Sequence, residues 1–165
     1  MLMRTRTNSM RGLALSPQEQ IPLALRAAYL TLHRQSDATF ARYDVTADQF
    51  VLMATLSDEQ PLTQKELANR MPSDPSTVRA MLVLLEDRGL VRRDTHPTDG
   101  RARTAALTAA GRRKFRQLWK AGESVRTQAV SDMKSDDADT LVRLLKQFAT
   151  SLDPTSMAAH SADEG

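Results

Sequence analysis

The chain has 165 residues, a net charge of +3 and no cysteine. A chain of this length can bury a real core without disulfide staples, and the lack of cysteine excludes a thiol nucleophile, a thiolate metal site and a cysteine redox switch. No stretch approaches the roughly 18 apolar residues of a membrane span. The only apolar run behind the basic start is Gly12-Leu13-Ala14-Leu15, too short for a signal-peptide core, so a soluble, cytoplasmic protein with no membrane partner is expected.

Residues 1–16 read as a flexible basic tail. Ser16-Pro17-Gln18-Glu19 has the form of a capped helix start, but Pro22 removes a helical hydrogen bond, so the regular helix is expected to begin near Pro22 and run to about Tyr43. Leu25, Ala28, Leu32, Phe40 and Tyr43 give it a broad apolar stripe. Thr46-Ala47-Asp48-Gln49 is a second capping box, followed by a short, very apolar helix carrying Phe50, Val51, Met53, Ala54 and Leu56.

At Leu62-Thr63-Gln64-Lys65-Glu66-Leu67, Thr63 caps, Glu66 reaches back and Leu62 staples onto Leu67. Pro72 stops this helix at Met71 or before, which leaves it two turns. Asp74 then caps and Pro75 begins a further helix through Val78, Met81, Leu82 and Leu85. Gly89 ends it in a left-handed conformation, with Leu90 set to contact Leu85. Leu90 to Asp94 and Arg101 to Leu107 are two extended segments around the turn formers Thr95-His96-Pro97-Thr98-Asp99-Gly100, so a β-hairpin is expected. Thr108 caps a long helix to about Met133, and Ser135 caps a last one with Leu141, Leu144, Leu145 and Phe148. Residues 153–165 read as a disordered tail.

From Arg88 to Arg116 nine bases (Arg88, Arg92, Arg93, Arg101, Arg103, Arg112, Arg113, Lys114, Arg116) face only Asp94 and Asp99. The end of the chain is acidic. A basic block inside a folded segment points to a polyanion. Two short helices with a tight turn, then a hairpin with a basic loop, follow the order of a winged helix-turn-helix. The fold class is therefore mainly α with a small β-hairpin wing. The major groove admits one helix, whose leading turn must carry small or polar groups. Asp74, Ser76, Thr77 and Arg79 occupy that turn, with Arg79 suited to guanine. Thr63 and Gln64 stand at the start of the supporting helix. Arg92 and Arg103 join the basic face, and at the hairpin tip Arg101, held by Asp99, is suited to the minor groove.

Leu62-Thr63-Gln64-Lys65-Glu66-Leu67-Ala68, Gly89-Leu90-Val91-Arg92-Arg93, and Asp99-Gly100-Arg101 followed by Leu107-Thr108-Ala109-Ala110-Gly111 resemble the MarR (multiple antibiotic resistance regulator) family, over about Pro22 to Ser151. The resemblance implies one domain over 17–152. Helices in 17–44 and 109–152 would form a homodimer interface, and winged lobes at 46–107 would read a palindromic operator in double-stranded DNA. Half-sites would lie one helical turn apart, on the order of 34 Å. It also implies a repressor relieved by a small effector. The pocket would draw on Arg26, Tyr29, His33, Tyr43, Phe50, Met53 and Trp119, with Arg26 or His33 pairing an aromatic carboxylate or a phenol held between the rings; each of these residues also fits a packing role. The chain departs from the family at Ala80, Val83 and Leu84, where polar or basic residues are common. Base reading is then expected to lean on Ser76, Thr77 and Arg79, with help from the wing and from DNA shape.

No enzymatic site, cofactor or metal is expected. His33, His96 and His160 are scattered and no glycine-rich phosphate loop is present. An alternative keeps the fold as a protein-interaction or dimerisation module. Gathering Arg79, Arg92, Arg101 and Arg103 around one face distinguishes the DNA reading from it.

Overall fold

The computed structural model describes residues 15–58 and 60–153, so the two expected tails fall almost entirely outside the described residues. The order is α1 (Pro17–Phe40), a 3₁₀ turn (Ala41–Tyr43), α2 (Ala47–Thr55), β1 (Leu62–Thr63), α3 (Gln64–Arg70), α4 (Pro75–Asp87), β2 (Val91–Thr95), β3 (Arg103–Leu107), α5 (Ala109–Ala121), α6 (Glu123–Ala129) and α7 (Ser135–Ser151). Two compact units divide between Trp119 and Lys120. Among the described residues no helix is long and apolar enough to cross a membrane.

In the first unit α1 starts at Pro17, five residues before the expected start. The capping chemistry outweighs the proline: the Ser16 N–H and Oγ–H donate to Glu19 Oε2 at 2.8 and 2.9 Å. Pro22 forfeits a single donor in a solvent-exposed stretch, where water can satisfy the orphaned carbonyl. Thr46 caps α2 as expected, its Oγ1 accepting from Gln49 N at 3.1 Å. Leu52 and Met53 are fully buried while Val51 faces water.

The core of this unit gathers Phe40, Leu52, Met53, Leu56, Leu67, Val78, Leu82, Leu85, Val91, Leu107 and Leu118. The hairpin is joined by β1 into a three-stranded antiparallel sheet of order β1-β3-β2. The registers are Leu62 opposite Ala105 and Val91 opposite Leu107. The sequence led to only two strands. A two-residue strand has no periodicity to detect, and Leu62 and Thr63 also fit a helix start.

The end of α4, the two feet of the hairpin and the start of α5 meet around Gly89 and Leu90. Gly89 has φ +66°, the left-handed conformation that an L side chain resists. Its N–H donates to Glu86 O at 2.8 Å and the Leu90 N–H to Leu85 O at 2.9 Å, a Schellman closure. The Leu90 carbonyl then accepts from Thr108 N at 3.1 Å. Thr108 Oγ1 donates to Gly89 O at 2.6 Å and accepts from Gly111 N at 2.9 Å. A Cβ on Gly111 would stand 1.9 Å from the Leu90 carbonyl oxygen. The Leu-Thr-x-x-Gly pattern is therefore a cap followed by the one residue that lets α5 approach the end of α4.

In the second unit the expected long helix is broken. α5 ends at Ala121 and α6 starts at Glu123, with Gly122 between them at φ −79°, ψ 0°. A glycine inside a helix costs about 0.5–1 kcal/mol relative to alanine, and here it marks the break. The cap of α7 is Lys134, not Ser135, which becomes the first helical residue. Asp136 and Asp137 in the first turn stabilise this start through the helix dipole without a side-chain cap. No residue of α7 is buried, and Leu141, Val142, Leu144 and Leu145 are all exposed.

Gly111→Ala is expected to lower unfolding stability by about 2 kcal/mol or more, because its clash is with backbone that cannot rotate away. Urea denaturation followed by circular dichroism measures this; a variant as stable as wild type would contradict the close approach.

Candidate nucleic-acid interface

The leading turn of α4 is organised by one carboxylate. Asp74 accepts from the Thr77 N–H at 2.9 Å, from Thr77 Oγ1–H at 2.5 Å and from the Ser76 hydroxyl. Hydrogen bonds from Ser76 first, then from the Thr77 side chain and amide, hold the Asp74 carboxyl far below its ordinary range. Both hydroxyl protons are thus engaged with Asp74. Thr63 is engaged in the same way, its N–H and Oγ1–H donating to Glu66 Oε2 at 2.7 and 2.8 Å, which holds the Glu66 carboxyl below its usual range. Gln64 Nε2 donates to Pro75 O at 3.0 Å and so ties the start of α3 to the start of α4. These bonds fix the angle between the supporting and the reading helix.

Between α3, α4 and the sheet lies a groove of about 580 Å³, lined by Thr63, Gln64, Lys65, Arg79, Leu82, Arg93, Arg101, Ala102, Arg103, Thr104 and Ala105. Five cations and no acid line it. Arg93 is spoken for, because its guanidinium pairs with Glu86 (Nε to Oε2, 2.7 Å), which holds the Glu86 carboxyl below its ordinary value. Lys65, Arg79, Arg101 and Arg103 form no ion pair with any described residue. Arg103 also acts through its charge on Glu86, and the cations gathered around one concavity make a positive potential that attracts a polyanion.

Strand alternation decides which arginines reach the groove. Val91 is buried, so Arg93 shares its inward side, while Arg92 and Asp94 lie on the opposite one and pair with each other. At the hairpin tip Asp99 Oδ1 accepts from the Arg101 backbone N–H at 3.0 Å and Asp99 O from Ala102 N at 3.0 Å. His96 Nδ1 accepts from the N–H groups of Thr98 and Asp99 at 3.3 and 3.2 Å. Asp99 thus shapes the turn, and the Arg101 guanidinium stays unpaired.

Of the ten residues expected at DNA, Thr63, Gln64, Arg79, Arg101 and Arg103 line the groove. Asp74, Ser76 and Thr77 stand on the exposed turn beside it, Asp99 sits in the wing turn, and Arg92 lies on the far face of the sheet. Lys65 and Arg93 were missed; the inward side shared with Val91 was the available signal for Arg93.

The expected effector residues sit in different surroundings. Met53 is fully buried in the core. His33 lies between Asp37 and Asp48, its two ring nitrogens 3.2 and 3.3 Å from their oxygens, so it is not open to an anionic ligand. Tyr43 is half-buried, with Lys114 Nζ 5.8 Å from its ring centroid. Phe50 stacks on Phe40 at 4.6 Å and lies 6.3 Å from Trp119, which is half exposed. Tyr29 and Arg26 are exposed on α1, with the Tyr29 ring 5.5 Å from His33.

Residues 45–102 match the MarR family model. The transcriptional regulator HosA of Escherichia coli O111:H- is 29% identical over 105 residues, 64% of this chain and 78% of HosA. Among solved structures, a mutant of E. coli MarR complexed with operator DNA superposes with a TM-score of 0.71 and 25% identity, covering 79% of this chain and 96% of that one. Bordetella bronchiseptica BpsR, described with regulation of its DNA binding by 6-hydroxynicotinic acid, gives 0.73 and 24%, covering 82% of this chain and 96% of that one.

Asp74, Glu66, Glu86 and Glu19 all have carboxyls held below their ordinary values of 3.8 or 4.5. Groups depressed on folding stabilise the protein above their unfolded values, and that stability is lost as pH falls through the folded ones. The melting temperature is therefore expected to be flat near neutrality and to fall below about pH 4.5, and Asp74→Asn should flatten that fall. Thermal melts from pH 7 down test this; an unchanged profile in the variant would contradict the role of Asp74.

Proposed function

We propose that this chain, whose residues 45–102 match the MarR family model, is a transcriptional regulator of that family, a homodimeric repressor that reads a palindromic operator. The observation that carries this reading is the groove in which Lys65, Arg79, Arg101 and Arg103 gather, with no acid in its lining, beside the exposed leading turn of α4. In this reading Arg79, which faces the wing, serves the phosphate backbone as much as a guanine edge. Thr63, Gln64, Asp74 and Asp99 set the angles of the helices and the wing, Ser76 and Thr77 meet base edges, and Arg92 contributes little. Residues 46–107 form the DNA-reading lobe, and the helices within 17–44 and 109–152 form the dimer. The large apolar side chains left in water support that division: Ile21, Leu23, Leu30 and Leu32 on α1, and Leu141, Val142, Leu144 and Leu145 on α7.

Release would follow binding of a small aromatic carboxylate or phenol. The regulation of BpsR by 6-hydroxynicotinic acid, an aromatic acid, supports this class. Because His33 already faces two aspartates, Arg26 is the better partner for the acid, with Tyr29, Phe50 and Trp119 as apolar walls.

Arg101→Ala is expected to weaken binding to a promoter duplex by about 1–3 kcal/mol, and Arg92→Ala by less than about 0.5 kcal/mol. Gel-shift titration distinguishes them. Wild type binding no duplex more tightly than random DNA at physiological salt would overturn the function.

A further inference from the structure

The inward side of α4 is Val78, Met81, Leu82 and Leu85, all buried. At 3.6 residues per turn, Ser76, Ala80 and Leu84 form one outward row, with Val83 between that row and Arg79. This row is apolar and in water: Val83 is 36% and Leu84 54% exposed, and Ala80 is exposed as well. Arg79 and Leu82, next to it on the same helix, line the cationic groove.

We propose that Ala80, Val83 and Leu84 read thymine methyl groups in the major groove, so that this chain selects T-containing positions by apolar contact on its reading helix. The inference rests on the DNA-reading function above. The occupant follows from the neighbours. A surface flanked by Lys65, Arg79, Arg101 and Arg103 fits a polyanion, and a protein partner seated on the row would have to desolvate those cations without compensation. The apolar group that a duplex offers in its major groove is the C5 methyl of thymine, and small aliphatic side chains contact it. The row continues directly from Ser76 in the leading turn, so a helix that enters the groove tip first carries these side chains in with it.

The test uses a duplex that the full-length protein itself enriches from a random-sequence pool. Replacing its thymines by deoxyuridine removes the methyl groups and leaves every base-pairing edge and the O4 acceptor in place. Wild type should bind the deoxyuridine duplex about 4-fold more weakly for each methyl it contacts, with no change on a random duplex of equal length. Val83→Ser and Leu84→Ser should each reduce the difference between the two versions of the enriched duplex. Both sites are exposed, so unchanged melting temperatures verify that the variants fold. Equal affinity of wild type for the two duplexes, or full methyl dependence in both variants, would overturn the proposal and leave the DNA-reading function standing. A changed oligomeric mass in Leu84→Ser would overturn it in favour of a protein contact. Enrichment of no sequence would overturn the function and the proposal together.

Discussion

The Leu90 carbonyl is where the geometry of the DNA-reading lobe is decided. It follows the left-handed Gly89 that ends α4, receives the amide of Thr108 at the far foot of the hairpin, and lies so close to Gly111 that no other residue fits there. One backbone oxygen thereby fixes the end of the reading helix, the root of the wing and the start of α5 to each other. Without that closure Arg101 and Arg103 on the wing and Arg79 on the helix would not face one concavity. Each would then be an isolated surface charge of small consequence.

A second organising principle is the division between polar groups that are committed and those that are not. Asp74 and Glu66 take the protons of neighbours that the sequence alone offered as DNA contacts, Ser76 and Thr77, and Thr63, while Glu86 takes the charge of Arg93. Arg92 is likewise paired with Asp94. What remains is a compact set of cations around the groove, beside an apolar row on the outward side of α4. In the proposed reading charge holds the duplex while the row and the leading turn distinguish bases, the usual separation of positioning from specification.

Much of this was legible in the sequence where a local rule had no competitor. The capping boxes at Thr46 and Thr63, the Asp74-Pro75 start and the Gly89 stop all have short-range physics and appear at the expected residues. Failures came where two rules competed. Pro22 argues against the Ser16 start, yet an exposed helix tolerates one missing donor. Gly122 interrupts an apolar pattern that continues across it. Ser135 is a capping residue by type, but Lys134 holds the extended conformation there. In the interface, residue type identified the groove arginines, but only the parity of β2 separates Arg92 from Arg93. The commitment of Ser76 and Thr77 to Asp74 is a matter of hydroxyl direction that sequence cannot show.

The central claim is that the groove between α3, α4 and the wing carries the phosphate backbone of a duplex. The salt dependence of operator binding tests it most directly, because each phosphate neutralised releases counterions. For the proposed dimer, with about four cations from each protomer, the slope of log K against log salt should be near −7. A slope near zero in a protein that still binds the duplex would contradict the account.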